Sequence, residues 1–205
     1  MRSAILVLAA VMVADLAAVG CSGKGSAAAP VAQDALATTA SAEPVSPPPP
    51  VNGSTGGAEH RVNLTPGQGG DVAGALDLVA SEGAVVVTGL VSGLAPESEH
   101  GFHIHAKGDC SSPDFKSAGD HFNPTSQEHG DPASPPHHLG DIANLKANSE
   151  GKANVNARIE GVTLGDGGPN DLVGKAFVVH EKMDDYKTQP SGNSGDRIAC
   201  GVISK

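Results

Sequence analysis

The chain has 205 residues, with 23 acidic side chains against 13 basic ones and a formal net charge of −10. No basic run stands out, so the charge argues against a nucleic-acid partner and bears on solubility. With four Phe, one Tyr and no Trp, any core must rest on Val, Leu, Ile and Ala.

Residues 1–20 hold one Arg, an apolar run and the ending AAVG before Cys21. This resembles a lipoprotein-type signal peptide, with cleavage before Cys21 and lipid attachment there; an ordinary secretory signal is the alternative. Ala18, where Leu is more usual, and Asp15 inside the apolar run depart from the lipoprotein pattern. The run is too short and too broken for a membrane-spanning helix. Residues 21–58 are mostly Ala, Pro, Ser, Gly and Thr, with PPPP at 47–50. Such a segment cannot bury enough apolar surface to fold, and as a flexible tether it spans about 35 Å. The expectation is an exported protein of the periplasm or cell envelope, tethered to a membrane through lipidated Cys21.

Residues 59–205 are long enough for one domain with its own core. Strand-like runs fall at 60–64, 71–80, 84–92, 101–105, 142–147, 153–159, 175–180 and 198–203. Short strands with Gly-rich turns predict an all-β fold. The run from Val155 to Ile159 alternates well, with Val155, Ala157 and Ile159 on one face and Asn156 and Arg158 on the other. Helical periodicity and internal repeats are absent from the sequence. Two connections, 106–141 and 181–197, are far longer than turns, and loops of that length inside a compact domain usually carry function.

Histidine is concentrated around those connections. Of nine histidines, His103, His105, His121, His129 and His138 fall in two short clusters with Asp141, and His180 stands apart. His103 and His105 are two residues apart, so a strand turns both imidazoles to one face and Phe102 and Ile104 to the other. Any one of these histidines taken alone reads as a polar surface residue. As a set they predict a two-metal site, and several imidazoles with one carboxylate suit zinc or copper better than calcium or magnesium. His60, His100 and His137 are assigned no role.

The stretches GFHIHAKGDC, GDHFNP, HHLGD, VVHEKMDD and GNSGDRIACGVI resemble the copper/zinc superoxide dismutases, in the family's order and approximate spacing. DDYKTQPSGN is most similar to the secreted bacterial branch, and HFNP to the eukaryotic form. The resemblance implies an eight-stranded Greek-key β-barrel or sandwich of immunoglobulin-like architecture with two long functional loops. It further implies copper on His103, His105, His121 and His180, and zinc on His121, His129, His138 and Asp141, with His121 shared. Asp184 corresponds to a carboxylate that hydrogen-bonds one ligand of each metal, here His103 and His129. Arg197 corresponds to the cation that attracts and positions superoxide beside copper. Lys182 and Lys187 on the same loop could add to the local field, although lysines on loops are mostly solvated. Cys110 and Cys200 correspond to the family's disulfide, which an exported compartment permits.

The implied reaction is disproportionation of superoxide to dioxygen and hydrogen peroxide, with Arg197 and His121 as the catalytic residues. The alternative is an exported copper- and zinc-buffering protein without turnover, and a second is a surface lipoprotein that keeps the fold without the chemistry. Arg197 discriminates against storage, because a buffering site needs no anion-guiding cation. The sequence leaves the oligomeric state open, a homodimer included.

Overall fold

The computed structural model describes residues 60–205; the expected signal peptide, Cys21 and the 21–58 tether lie outside the described residues. Eight strands follow one another: β1 (His60–Pro66), β2 (Ala73–Ser81), β3 (Ala84–Ser92), β4 (Glu99–His105), β5 (Asp141–Lys146), β6 (Ala153–Glu160), β7 (Ala176–His180) and β8 (Arg197–Val202). Among the described residues, the helical content is one 3-10 turn at Lys116–Ala118.

The hydrogen-bonded order is β5-β4-β7-β8-β1-β2-β3-β6, with every pair antiparallel. Consecutive strands β3 and β4 are far apart in this order, and β6 returns to pair with β3 before β7 crosses back to β4. That is Greek-key connectivity. β1 bends from one half to the other, pairing with β2 through His60–Leu64 and with β8 through Thr65 and Pro66. The end strands β5 and β6 lie against each other without a ladder, leaving a nearly closed barrel.

The barrel is filled by the aliphatic residues the composition demanded, among them Leu76, Leu78, Val85, Val87, Val91 and Ile104, with Phe102 and Phe177 stacked at 5.3 Å between ring centres. β6 shows the expected alternation, with Ala153, Val155 and Ile159 buried and Asn154, Asn156, Arg158 and Glu160 exposed. β4 and β7 behave differently. All of β7 is buried, because Phe177 and Val179 face the barrel while Ala176 and Val178 pack outside it with Phe115, Ala118 and Cys200. The loop 106–140 therefore covers the outer face of these strands. A disulfide between Cys110 and Cys200 ties that loop to β8 across a 90-residue separation, with a Cα–Cα distance of 5.8 Å. In the chain-entropy account, closing a loop of that size stabilises the fold by roughly 4 to 5 kcal/mol.

Sheet register places the site. On the covered face, His103 of β4 stands opposite Asp141 of β5 on one side and Val178 of β7 on the other, and Val178 stands opposite Cys200. His180 pairs with Arg197 at the start of β8. Directly opposed residues in a sheet point the same way, so the ladder alone turns His103, His105, Asp141 and His180 towards the loops.

Candidate metal centre

Beyond the end of β5, the segment 120–122 continues along β4. Ile104 N–H donates to Gly140 O and Phe122 N–H to Ile104 O, both at 2.8 Å, and His121 bridges to His105. Alternation along this short extended segment sends Phe122 into the core and His121 to the covered face with His103 and His105. His129 and His138 come from the remainder of loop 106–140, and all six histidines are buried, as is Asp141.

Two groups of side chains converge here: His103, His105, His121 and His180; and His121, His129, His138 and Asp141. Within each group the candidate ligand atoms lie within 4.8 Å of one another. All the residues expected as metal ligands are thus brought together, and His121 belongs to both groups.

The hydrogen bonds leave one ring nitrogen free on most of these histidines. His103 Nε2–H donates to Asp184 Oδ2 at 2.8 Å, which leaves Nδ1 with a lone pair, buried and without a hydrogen-bond partner. His105 Nδ1–H donates to Gly119 O at 2.7 Å and His180 Nδ1–H to Gly195 O at 3.3 Å. Their Nε2 atoms consequently face each other at 3.4 Å as two acceptors. His121 Nε2 is likewise buried without a partner. In the second group, Asp141 Oδ1 lies 2.8 Å from His121 Nδ1, 3.1 Å from His129 Nδ1 and 3.3 Å from His138 Nδ1. His129 Nε2–H donates to Asp184 Oδ1 at 2.9 Å, so its Nδ1 is the atom turned inward. Buried polar atoms are normally paired, and leaving one unpaired costs about 1–3 kcal/mol. Lone pairs converging on two points are the donor set that borderline cations require.

Charge in the site follows from burial and from two carboxylates. Burial pushes His103, His105 and His180 below the ordinary histidine pKa, and His121 down to about 4, with neighbouring imidazoles adding to the effect. His129 goes the other way. Burial again opposes its charge most strongly, but the hydrogen bonds and negative charges of Asp141 and Asp184 together outweigh it and raise the pKa to about 9. For Asp141 and Asp184, burial favours the neutral acid, yet their histidine partners hold both below the ordinary carboxylate range.

Asp184 takes the position expected of it, between one ligand of each group. Its Oδ1 also accepts Tyr186 N–H at 2.7 Å. Gly192, at φ +64, is required beside it: a Cβ there would overlap Asp184 Oδ1 and lie 2.8 Å from His129 Nε2. Arg197 opens onto a cleft it lines with His105, His121, His138 and His180. Its Nη1 donates to Phe115 O and its Nη2 to Gly119 O, each at 2.7 Å. Burial lowers its pKa, and Asp120 and Asp114 counter this; a guanidinium stays charged at neutral pH regardless.

Lys182 and Lys187 do not line this cleft; Lys107, Lys116 and Lys175 do. His100 has a part that spacing did not suggest: it is buried, its Nδ1–H donates to the backbone carbonyl of His180 at 2.8 Å, and Ser98 Oγ lies 2.7 Å from its Nε2. His60 and His137 bond to Ser204 O and His138 O and enter neither group.

A family model described as copper/zinc superoxide dismutase matches residues 72–203. Superoxide dismutase [Cu-Zn] 2 of Aquifex aeolicus is 42% identical over 139 residues, covering 65% of this chain and 80% of its own length. The superoxide dismutase-like protein YojM of Bacillus subtilis is 45% identical over 113 residues, 54% of this chain and 58% of its own. A crystal structure of a SOD-like protein from Bacillus subtilis superposes with a TM-score of 0.64 at 39% identity, over 70% of this chain and 97% of that one. The matched stretch contains both histidine groups, Asp184, Arg197 and the disulfide, and the chain belongs to the copper/zinc superoxide dismutase family, as an enzyme that uses copper and zinc.

Proposed function

We propose that copper is held by His103 Nδ1 and by Nε2 of His105, His121 and His180, and zinc by Nδ1 of His121, His129 and His138 with Asp141 Oδ1. His121 then serves both metals through its two ring nitrogens. The observation that carries this reading is the two-sided setting of that ring: Nδ1 lies 2.8 Å from Asp141 Oδ1, and Nε2 is buried among the other imidazoles without a hydrogen-bond partner. An imidazole that gives up both ring protons needs a cation at each nitrogen.

Two superoxide ions and two protons give one dioxygen and one hydrogen peroxide. Copper, when bound, supplies the one-electron chemistry that takes an electron from one superoxide and returns it to the next. Zinc has no redox chemistry, and bound to His121, His129, His138 and Asp141 it would hold the loop 106–140 in place. Arg197 offers an anion a fixed cation on the wall it shares with His105, His121 and His180, and charge-assisted hydrogen bonding orients it there. His121 Nε2 is the atom at which a proton can be held and passed to the reduced substrate. Asp184 keeps the His103 and His129 rings in the tautomer that leaves Nδ1 free for metal. With a net charge of −10 and screening beyond about 8 Å at physiological salt, attraction of superoxide is the work of these local cations.

Arg197 in the cleft favours turnover over storage. Counting both metals and measuring dismutation on the same sample, with His121→Ala beside it, tests the assignment. The export, lipid attachment at Cys21 and envelope location belong to this proposal as well; mass spectrometry of the mature N-terminus is expected to find a lipidated Cys21, and an unmodified residue in its place would refute the anchor.

A further inference from the structure

His129 sits in a part of loop 106–140 whose preceding residues 124–128 are all exposed. Its own main chain makes a two-point pair with one side chain sixty residues away. His129 N–H donates to Gln189 Oε1 at 2.9 Å, and Gln189 Nε2–H donates to His129 O at 2.8 Å. A side-chain amide here completes, for a single residue, the donor and acceptor pairing that a neighbouring strand would supply. Gln189 lies on loop 181–196, the loop that also carries Asp184, whose Oδ1 takes the His129 ring at 2.9 Å. One loop thus grips His129 at three atoms: main-chain N, main-chain O and ring Nε2.

That arrangement has a consequence for metal retention. Asp184 fixes the tautomer and tilt of the ring, but it cannot fix where the backbone delivers it. The neighbouring main-chain anchor, Gly130 N–H to Asp141 Oδ2 at 3.2 Å, runs to another residue of the same group. Gln189 alone ties the His129 backbone to the other loop through hydrogen bonds that involve no metal-ligand side chain. His105 and His180, by contrast, have their rings held by the backbone carbonyls of Gly119 and Gly195, and His103 stands within the β4 ladder.

We infer that Gln189 is a positioning residue for zinc, holding His129 in ligating position from the opposite loop so that zinc is retained selectively while the copper ligands do not depend on it. The inference rests on the assignment of His129 to the zinc group.

The test uses the full chain, disulfide intact and loaded with copper and zinc. Zinc and copper release into excess chelator are followed for the parent and for Gln189→Met, which keeps the length and loses both hydrogen bonds. Loss of a partner that orients a metal ligand weakens metal binding by roughly 10- to 100-fold. Zinc release from Gln189→Met is expected to quicken by about that factor, with copper release and the melting temperature of the metal-free protein nearly unchanged. Zinc release at the parent rate overturns the inference, and so does a parallel rise in copper release with a lowered metal-free melting temperature, which marks a general structural role. Gln189→Glu, which keeps the acceptor for His129 N–H and loses the donor, serves if the Met variant does not fold; it too must release zinc faster than the parent. A parent chain that takes up no zinc refutes the ligand assignment instead.

Discussion

Arg197 and His105 share a single acceptor: the backbone carbonyl of Gly119 takes Arg197 Nη2–H and His105 Nδ1–H, each at 2.7 Å. The cation proposed to guide superoxide and a ligand proposed for copper are therefore referenced to one atom of loop 106–140. The second guanidinium bond, to Phe115 O at 2.7 Å, anchors the same side chain to the turn that the outer core holds in place.

Replacing Arg197 with Ala leaves the ligands of both groups in place and removes the fixed cation from the cleft. Both metals are expected to bind as in the parent while kcat/KM falls at least about tenfold, the lower bound for electrostatic focusing in a cleft. Arg197→Lys recovers only part of this, since one ammonium cannot match the planar fork that reaches two carbonyls. Rate measurements over a range of ionic strength check the prediction. A rate and salt dependence equal to the parent's would remove Arg197 from the mechanism.

Asp184 is fully buried and is the hydrogen-bond acceptor of one histidine in each group. Asp184→Ala is expected to lower affinity at both metal sites, by about 10- to 100-fold for zinc. Gly192→Ala should act in the same direction without replacing any ligand, because its Cβ overlaps the Asp184 carboxylate, comes within 2.8 Å of His129 Nε2, and its φ of +64 disfavours any side chain. Competitive chelator titrations of both variants give the answer. An alanine at 192 with parent-like metal affinity would show that the carboxylate can move without loss.

The shift of His129, opposite to those of His103, His105, His121 and His180, predicts how metal uptake depends on pH. In the metal-free protein His129 has a pKa raised from 6.5 to about 9, so its charged form contributes stability that is full below 6.5 and is lost as the pH climbs towards 9. In the proposed assignment, zinc would take the nitrogen that carries this proton. Between those limits its apparent affinity should rise about tenfold per pH unit, with about one proton released per zinc from His129. His103, His105 and His180, lowered from 6.5, are already neutral at pH 7 and release none. Asp141 and Asp184, held below 3.8, contribute stability above that value that is lost as the pH falls further. Calorimetric zinc titration in buffers of different ionisation enthalpy measures the proton count, and a zinc affinity flat from pH 7 to 9 would contradict it.

Strands with one wet face could be read from the sequence, as β6 was from Val155 to Ile159, because alternation survives there. Alternation fails where both faces are covered. β4 starts at Glu99 rather than Gly101, since Glu99 and His100 pair with Lys146 and Leu145 and His100 is itself buried. The two groups of side chains were legible from spacing and family likeness, and so was the Cys110 and Cys200 pair from the likeness. What escaped, Asp184 apart, was the support around these side chains. Gln189 meets His129 from 60 residues away, Asn144 bonds both the N–H and the carbonyl of Asp184 from 40, and Arg197 finds Gly119 across 78. No local pattern marks such residues, because their partners are set by how two loops fold over the sheet. Which lysines reach the cleft was hidden for the same reason: Lys182 and Lys187 lie on the loop that leads into Arg197 but do not line the wall it occupies.

His121 is proposed to join two metals in a working site. Copper and zinc content and superoxide-dismutation rate should be measured on one purified, disulfide-intact sample, with His121→Ala prepared alongside. About one copper and one zinc per chain, fast cyanide-sensitive turnover, and loss of most activity with loosened zinc in the variant are the predicted results. Full metal loading without turnover, or a His121→Ala protein with normal zinc and full activity, would contradict the account.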